Sequence, residues 1–182
     1  MNVETGFGSG APYEYVVSEK KTPAVVAKKV TLVLLYVLWA ATCLIVGAWI
    51  KLILPLLAFI PISIWILVFL TWRYTQVEYE YSFFSGTLTV SRILGGKSRK
   101  RLFSLTLKEL EALYPNTEEF AERIASLEAD RTFFAVSHPD AAEGVWAALW
   151  LDEKKKKTLA WLELNEKAIK QIRFYNATVI RK

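Results

Sequence analysis

The sequence of 182 residues is poor in the side chains that build covalent or metal-linked scaffolds, with one cysteine and one histidine. A single cysteine excludes a disulfide framework within the chain. One histidine and one cysteine cannot supply the ligands of a His/Cys metal site. Internal repeats and low-complexity runs are also absent, which excludes collagen-like and solenoid classes. From these absences we expect neither a metal nor a cofactor.

Charge is nearly missing from residues 30–72, a run of 43 residues in which Lys51 is the one charged side chain. A membrane-spanning helix needs about 20 apolar residues, so this run predicts two spans, at about 30–50 and 55–72. Lys51 and Pro55 mark the turn, because lysine can reach the membrane interface and proline suits the first turn of a helix. The sequence therefore predicts a transmembrane hairpin over 23–72, preceded by a flexible tail over 1–22.

The flanking charges predict the orientation of this hairpin. A tight turn returns both ends to one side of the membrane, and Lys/Arg-rich flanks face the cytoplasm. Basic residues stand on both flanks, at Lys20, Lys21, Lys28, Lys29 and Arg73. We therefore expect a multi-pass protein of the inner membrane with both termini cytoplasmic. Neither span contains Asp, Glu, Arg or His, which argues against a transporter or pump.

Three small residues in the first span, Ala40, Cys43 and Gly47, fall on one face of the helix. Small residues let membrane helices approach closely. One interpretation is that this stripe packs the hairpin internally. The other is that it contacts a second copy or an intramembrane partner.

Residues 73–182 are rich in charge, unlike the preceding apolar run, with 18 Lys and Arg against 15 Asp and Glu. Alternation of apolar and polar residues predicts strands. The predicted strands cover 77–83, 87–94, 99–110, 131–138, 144–153 and 158–164. Helices are predicted over 117–129 and 166–176, the second capped by Asn165. His138, Pro139 and Asp140 form a predicted turn, and the weakly alternating 13–17 can add a strand to an open sheet edge.

These elements predict an α+β domain over 73–182, with small antiparallel sheets or a partly open barrel, an inserted helix and a C-terminal helix that caps the sheet. The plan resembles small bacterial membrane proteins that carry a pleckstrin-homology-like (PH-like) domain. More narrowly, EYEYSFFSGTLTVSRI at 78–93, KSRKRLFSL at 97–105 and KKTP at 20–23 resemble an uncharacterised bacterial family of this plan. The chain departs from the family in its longer start, MNVETGFGSGAP. The resemblance implies a PH-like split barrel or sandwich and no catalytic residue.

Two basic clusters at predicted hairpin tips are the candidate contacts for anionic lipid. The first contains Lys97, Arg99, Lys100 and Arg101, and the second contains Lys154, Lys155, Lys156 and Lys157. Each basic residue near an anionic leaflet is worth roughly 1 kcal/mol. Lysines at hairpin tips are equally typical of solvated turns that deter aggregation. Nucleic acid is not an expected partner, because the domain is barely basic and contains no nucleic-acid-binding motif.

The sequence thus favours a non-enzymatic, membrane-anchored PH-like module that binds a protein partner or the anionic membrane surface. Two alternatives stay open. One is a membrane enzyme acting on lipid or envelope precursors, and the other is an accessory subunit that uses the stripe of small residues.

Overall fold

A computed structural model describes residues 12–20, 22–138 and 144–181 of the chain. The helices are α1 (Pro23–Trp49), α2 (Ile53–Thr71), α3 (Glu118–Ala125) and α4 (Glu166–Tyr175). The strands are β1 (Tyr13–Ser18), β2 (Val77–Phe84), β3 (Thr87–Leu94), β4 (Ser98–Thr106), β5 (Leu110–Pro115), β6 (Arg131–Ala135), β7 (Val145–Leu151) and β8 (Lys157–Glu163). Short 3-10 turns follow α2 and β4, at Trp72–Thr75 and Leu107–Glu109. The first eleven residues and the predicted turn residues Pro139 and Asp140 lie outside the described ranges.

The first apolar helix starts seven residues before the predicted span. Thr22 caps it by accepting a hydrogen bond from the Val25 N–H at 3.3 Å, and Pro23 occupies its first turn. Both features favour helix initiation at this point, so the basic residues before the apolar run are helical as well. Lys51, with φ of 57°, reverses the chain before α2 begins at Ile53.

The two apolar helices pack against each other at Gly47, the last of the three small residues, and through polar contacts of Tyr36 and Trp39. Gly47 is buried, and a Cβ atom placed on it would lie 2.6 Å from Leu56 Cδ1. Trp39 Nε1 donates a hydrogen bond to Ser63 Oγ at 3.1 Å, and the Tyr36 and Thr71 hydroxyls are hydrogen-bonded. Gly47 therefore packs within the hairpin, which confirms the first interpretation of the stripe at that position.

The outer faces of these helices are apolar and exposed. In the most apolar 18-residue stretch of each helix, 6% of α1 residues and none of the α2 residues are buried. Large apolar side chains such as Leu34, Ile45 and Ile62 are exposed. The core helix of a soluble protein would be largely buried, whereas helices in lipid present apolar side chains outward. By length and composition, both helices can cross a membrane.

The first sheet contains β1, β2, β3 and β4 in that order, all antiparallel. Residues 13–18 form its edge strand β1. This confirms the prediction that 13–17 can add a strand to a sheet edge, and it places that strand inside the segment predicted as a flexible tail. Tyr13, Tyr15 and Val17 of this strand alternate with polar residues and pack against the core. Both apolar helices are therefore inserted into the connection between two adjacent strands, and the sheet extends beyond the predicted 73–182 domain.

The second sheet has the order β5, β7, β8, β6, and it corrects the expectation of wholly antiparallel sheets. Strand β6 pairs with β8 in parallel, from Arg131 opposite Thr158 to Ala135 opposite Leu162. The reason is the path of the chain between β5 and β6. Helix α3 carries it across the outer face of the sheet, so β6 runs in the same direction as β5, at the opposite edge.

The predicted strand 99–110 is wrong in its second half, because the chain changes sheets there. Strand β4 ends at Thr106, and the buried Leu107 begins a 3-10 turn. The Leu107 N–H donates to Gly86 O at 2.8 Å. The side chain of Asn176 donates to Leu107 O at 3.2 Å and to Leu110 O at 3.0 Å. These tertiary contacts fix a corner that local alternation does not reveal.

The two sheets enclose the main core, and α4 closes it with Ala168 and Ile172. Asn165 caps α4, as predicted, by accepting from the Ala168 N–H at 2.9 Å. Helix α3 covers the outer face of the second sheet, where Phe120 and Ile124 build a smaller core. This second core explains why both faces of β7 are apolar.

The hydroxyl of Tyr81 connects the two sheets. It donates a hydrogen bond to Ala135 O and accepts one from the Glu163 N–H at 3.0 Å. Tyr15 stacks on Tyr81 with ring centroids 4.7 Å apart, and its own hydroxyl donates to Glu163 O at 2.9 Å. Burial raises the pKa of both tyrosines well above its ordinary value. Both hydroxyls therefore remain hydrogen-bond donors at any physiological pH.

Replacing Tyr81 with Phe should lower the free energy of unfolding by about 1–3 kcal/mol, because the Ala135 carbonyl and the Glu163 N–H would lose a buried partner. Chemical denaturation of the detergent-solubilised chain measures this change. Tyr114→Phe is the matched control, since the Tyr114 side chain is also buried and its hydroxyl makes no hydrogen bond within the described residues. Equal stability of the two variants would contradict the role given to Tyr81.

Replacing Gly47 with Leu should destabilise the helical hairpin by about 1–3 kcal/mol, because the new side chain must displace Leu56. Ala48→Leu adds the same side chain on the exposed face and should have little effect. Thermal unfolding of both variants in detergent compares them. If Ala48→Leu proved the more damaging change, the helix packing described here would be incorrect.

Candidate functional site

The β3–β4 hairpin packs against the segment that follows α2. The Gly95 N–H donates to Gln76 O at 2.9 Å. A Cβ atom on Gly95 would lie 2.9 Å from Arg73 Cβ and 3.0 Å from Arg73 Cα, and the residue has a φ of +57°. Glycine is therefore required there both by conformation and by close approach. The Lys97 ammonium lies 5.7 Å from the centre of the Phe69 ring, in the last turn of α2. This hairpin tip thus lies beside the end of an apolar helix.

The first basic cluster (Lys97, Arg99, Lys100 and Arg101, hereafter the β3–β4 cluster) is exposed throughout. Arg99 pairs with Glu80 on β2 at 2.7 Å. The Arg99 side chain is 64% exposed, so this pair is worth at most about 1 kcal/mol. Within the described residues, the other three cations have no carboxylate partner. Most of the positive charge of the cluster is therefore uncompensated.

Two carboxylates hold the backbone of the turn that carries the second basic cluster (Lys154, Lys155, Lys156 and Lys157, hereafter the β7–β8 cluster). Asp152 accepts hydrogen bonds from the Lys154 N–H at 2.8 Å and the Lys156 N–H at 3.0 Å, and it pairs with Arg131 at 3.2 Å. The Lys157 N–H donates to Asp130 at 2.9 Å. These contacts indicate an organised turn. In the described part of the chain, no hydrogen bond or ion pair joins the two clusters.

The carboxylate of Asp152 has a lowered pKa. The main cause is the hydrogen bond from the Lys156 N–H, followed by that from Lys154 and by the charges of Arg131 and Lys156. A pKa below the ordinary value of about 4 means that the ionised form is the one that stabilises the turn. This contribution is present above about pH 4 and is lost as the pH falls through the lowered pKa.

Arg92 is a polar residue of interest that the sequence analysis missed. It lies on β3 opposite Tyr79 of β2 and Lys100 of β4. Its Nε atom is buried and has no hydrogen-bond partner. The signal was present in the sequence, because Leu88, Val90 and Arg92 alternate along one strand and the first two are core residues.

An open groove of about 960 Å³ lies where α3 and α4 begin. Trp146 and Ile169 give it an apolar lining, and Glu118 and Glu166 add negative charge. Trp146 is half-buried in this groove, whereas Trp150 on the same face of β7 is buried in the core. Across the described ranges, no group of three or more His, Cys, Asp or Glu side chains is arranged to hold a metal ion.

A protein-family model described as bacterial PH-like domain (DUF6106) matches residues 12–182. The chain belongs to this family. The match begins one residue before β1 and continues through both apolar helices. The PH-like family therefore includes the strand and the helical hairpin as well as the region after residue 72. Comparison with curated proteins and with solved structures gives no match.

Replacing Asp152 with Ala in this PH-like protein should loosen the β7–β8 turn, because two backbone N–H groups and Arg131 lose their partner. Trypsin cleaves after lysine, so we expect several-fold faster cleavage at Lys154 to Lys157 in limited proteolysis of the full chain. Glu153→Ala is the control, since Glu153 is exposed and adjacent. Unchanged cleavage in Asp152→Ala would show that the turn is held by other contacts.

Proposed function

We propose that the protein is a non-enzymatic, membrane-anchored PH-like module whose β3–β4 cluster contacts anionic lipid headgroups on the cytoplasmic side of the inner membrane. The observation that carries this proposal is the position of Lys97 against Phe69 in the last turn of α2. If α2 crosses the membrane, its last turn lies at the interface. A hairpin tip packed on that turn then lies at headgroup level.

The placement of the helices in the membrane is part of the proposal. Two features support a hairpin with both ends on one side. The Lys28 ammonium donates to Tyr74 O at 2.8 Å, so the basic start of α1 and the end of α2 lie together. Trp72 and Tyr74 are exposed there, as interfacial aromatic residues are. The Lys/Arg content of this end favours the cytoplasm over the periplasm.

The charges of the β3–β4 cluster set the expected strength of the contact. Each basic residue near an anionic leaflet contributes roughly 1 kcal/mol, so the three unpaired cations supply roughly 3 kcal/mol in favourable conditions. Arg99 contributes less because Glu80 compensates its charge. The anchor keeps the hairpin close to the membrane, so a weak contact gains from a high effective concentration. The β7–β8 cluster, whose backbone is held by Asp152 and Asp130, is a weaker candidate.

A protein partner is the second candidate, favoured by the groove at the starts of α3 and α4. Half-buried Trp146 resembles the aromatic anchors of protein interfaces, and the acidic Glu118 and Glu166 would select a basic segment. A lipid or envelope-precursor enzyme and an accessory subunit are weaker alternatives. The polar residues beside the end of α2 are basic, and Gly47 of the small-residue stripe already packs on Leu56.

The proposal is tested with a fluorescent probe at the hairpin tip. The chain has one cysteine, so Cys43→Ala followed by Lys97→Cys allows a single label. The labelled full chain is placed in nanodiscs of neutral or anionic phospholipid that contain headgroup-quencher lipid. We expect stronger quenching in anionic than in neutral nanodiscs, and we expect high salt to remove the difference because it screens the cluster charges.

Two variants identify the residues responsible. Charge reversal of Lys100 and Arg101 to Glu should abolish the difference between anionic and neutral lipid. Charge reversal of Lys155 and Lys156 to Glu changes the net charge equally and should leave the difference in place. Quenching that is independent of lipid charge, or that responds only to the second pair, would refute the proposed contact.

A further inference from the structure

Three rows of side chains cross the inner face of the first sheet. Cross-strand pairing defines them as Tyr13–Phe83–Leu88–Leu105, then Tyr15–Tyr81–Val90–Phe103, then Val17–Tyr79–Arg92–Lys100. The first two rows supply core residues. The third row is the one nearest the helices. It contains two adjacent cations, Arg92 and Lys100, where the first two rows have apolar side chains. Packing of a hydrophobic core does not require these two cations.

The guanidinium of Arg92 is left without a partner. Its Nε atom is shut off from solvent and makes no hydrogen bond. Within the described residues, its terminal amino groups also make no hydrogen bond or ion pair, so they face solvent. Buried polar groups are almost always satisfied, and an exception needs a physical explanation. A guanidinium that is covered on one side and open on the other is a preformed donor for an anion.

The charges around Arg92 do not neutralise it. Its neighbour Lys100 has the same sign. Glu78 and Glu80 alternate with Tyr79 along β2, so they lie on the opposite face of the sheet. Burial raises the pKa of Tyr79, while the charge of Arg92 lowers it and that of Glu19 raises it, so both charges lie near the Tyr79 hydroxyl. Within the described residues, Glu19 nevertheless forms no ion pair with Arg92.

The third row lies beside the edge of the second sheet. Strand β6 lies across the second row, since Tyr81 bonds Ala135 O and the Phe133 ring lies 5.2 Å from that of Phe103. Strand β6 is the edge strand of its sheet, so the row that contains Arg92 lies next to an edge that pairs with no other strand in the described ranges.

A second unsatisfied donor occurs at the same end of the sheets. The Ser137 hydroxyl is buried and has no partner, while its carbonyl accepts from the Lys20 N–H at 3.0 Å. Two carboxylates are present at this end: Glu19, which precedes Lys20, and Glu163, which accepts from the Ser137 N–H at 3.0 Å. That contact fixes the Ser137 backbone and leaves the hydroxyl free to donate.

We propose that Arg92, together with Lys100, binds one phosphate group at this end of the PH-like sandwich. The planar guanidinium offers paired N–H donors that match phosphate oxygens, and Lys100 adds a second positive charge. The phosphate belongs to a lipid headgroup or to a soluble phosphate compound. The lipid source rests on the proposed function, because it requires this end of the domain to face the membrane.

The test measures thermal unfolding of the full chain in nanodiscs, because a ligand that binds the folded state raises the unfolding midpoint. Three probes are compared: phosphatidic acid and phosphatidylglycerol, each mixed into neutral lipid, and inorganic phosphate in solution. We expect a saturable rise with at least one probe. In Arg92→Gln the half-saturating concentration should increase roughly tenfold or more, since a charge-assisted pair is worth about one factor of ten in affinity. Arg173→Gln is the matched control, since Arg173 is an exposed arginine on α4 outside both basic clusters, and it should behave like the unsubstituted protein.

A second variant keeps the proposal falsifiable without ligand. Arg92→Leu extends the apolar series of Leu88 and Val90, so it should raise the unfolding midpoint in neutral lipid without phosphate. It should also remove the saturable response. A higher midpoint together with a lost response is expected if Arg92 serves binding and lowers the stability of the fold. An arginine that stabilises the fold would give a lower midpoint when replaced. A lower midpoint for Arg92→Leu would count against an unsatisfied binding residue.

The possible failures are distinguishable. A saturable response that Arg92→Gln leaves unchanged, or no response to any probe, overturns the Arg92 site even if the Lys97 probe still senses anionic lipid. A response to inorganic phosphate alone, lost in Arg92→Gln, supports the site and assigns it to soluble phosphate. If the Lys97 probe ignores lipid charge while phosphatidic acid binds through Arg92, the cluster contact fails and the phosphate site stands.

Discussion

Pairing of β1 with β2 is the constraint on which the rest of the structure depends. The two strands are separated by 58 residues, and they meet because α1 and α2 return the chain to the place it left. The close fit of Gly47 with Leu56 packs the two helices together at the turn between them, and the contact of Lys28 with Tyr74 holds the two ends of this excursion together. Once β1 is in place, Tyr15 stacks on Tyr81 and both hydroxyls hold the second sheet. Helix packing, sheet pairing and sandwich closure are therefore coupled through one connection.

Much of the fold can be predicted from local sequence pattern, and the failures occur where distant contacts decide. Strict alternation located β2 and β3, and Asn165 correctly marked the start of α4. The corner at Leu107 was missed because Gly86 and Asn176, far away in sequence, hold it. The parallel pairing of β6 was missed because it depends on the path of α3 over the sheet. The helical start at Pro23 lies before Lys28 and Lys29, so a search for uncharged apolar spans does not reach it.

The candidate site, like the fold, could be predicted from the sequence only in part. Composition was enough to find the basic residues at both hairpin tips. Which tip lies beside an apolar helix is a tertiary fact, carried by the contacts of Gly95 with Arg73 and of Lys97 with Phe69. The pairing of Arg99 with Glu80 removes one cation from the simple count of charges, and the sequence does not show which member of a basic run is paired. Arg92 is the opposite case. The alternation along β3 already shows one charged residue at a core-facing position, and the sequence analysis did not identify it.

Insertion of both helices into one strand connection has a practical consequence for producing the domain. The Glu19 N–H donates to Val77 O at 3.0 Å, so the chain leaves the first strand and rejoins the second at adjacent points. Antiparallel neighbours at this separation are routinely joined by turns of two to five residues. A short turn in place of the helical segment would give a water-soluble domain with every strand present. Cutting the chain after α2 instead would strip the sheet of its edge strand and leave β2 open to association with other chains.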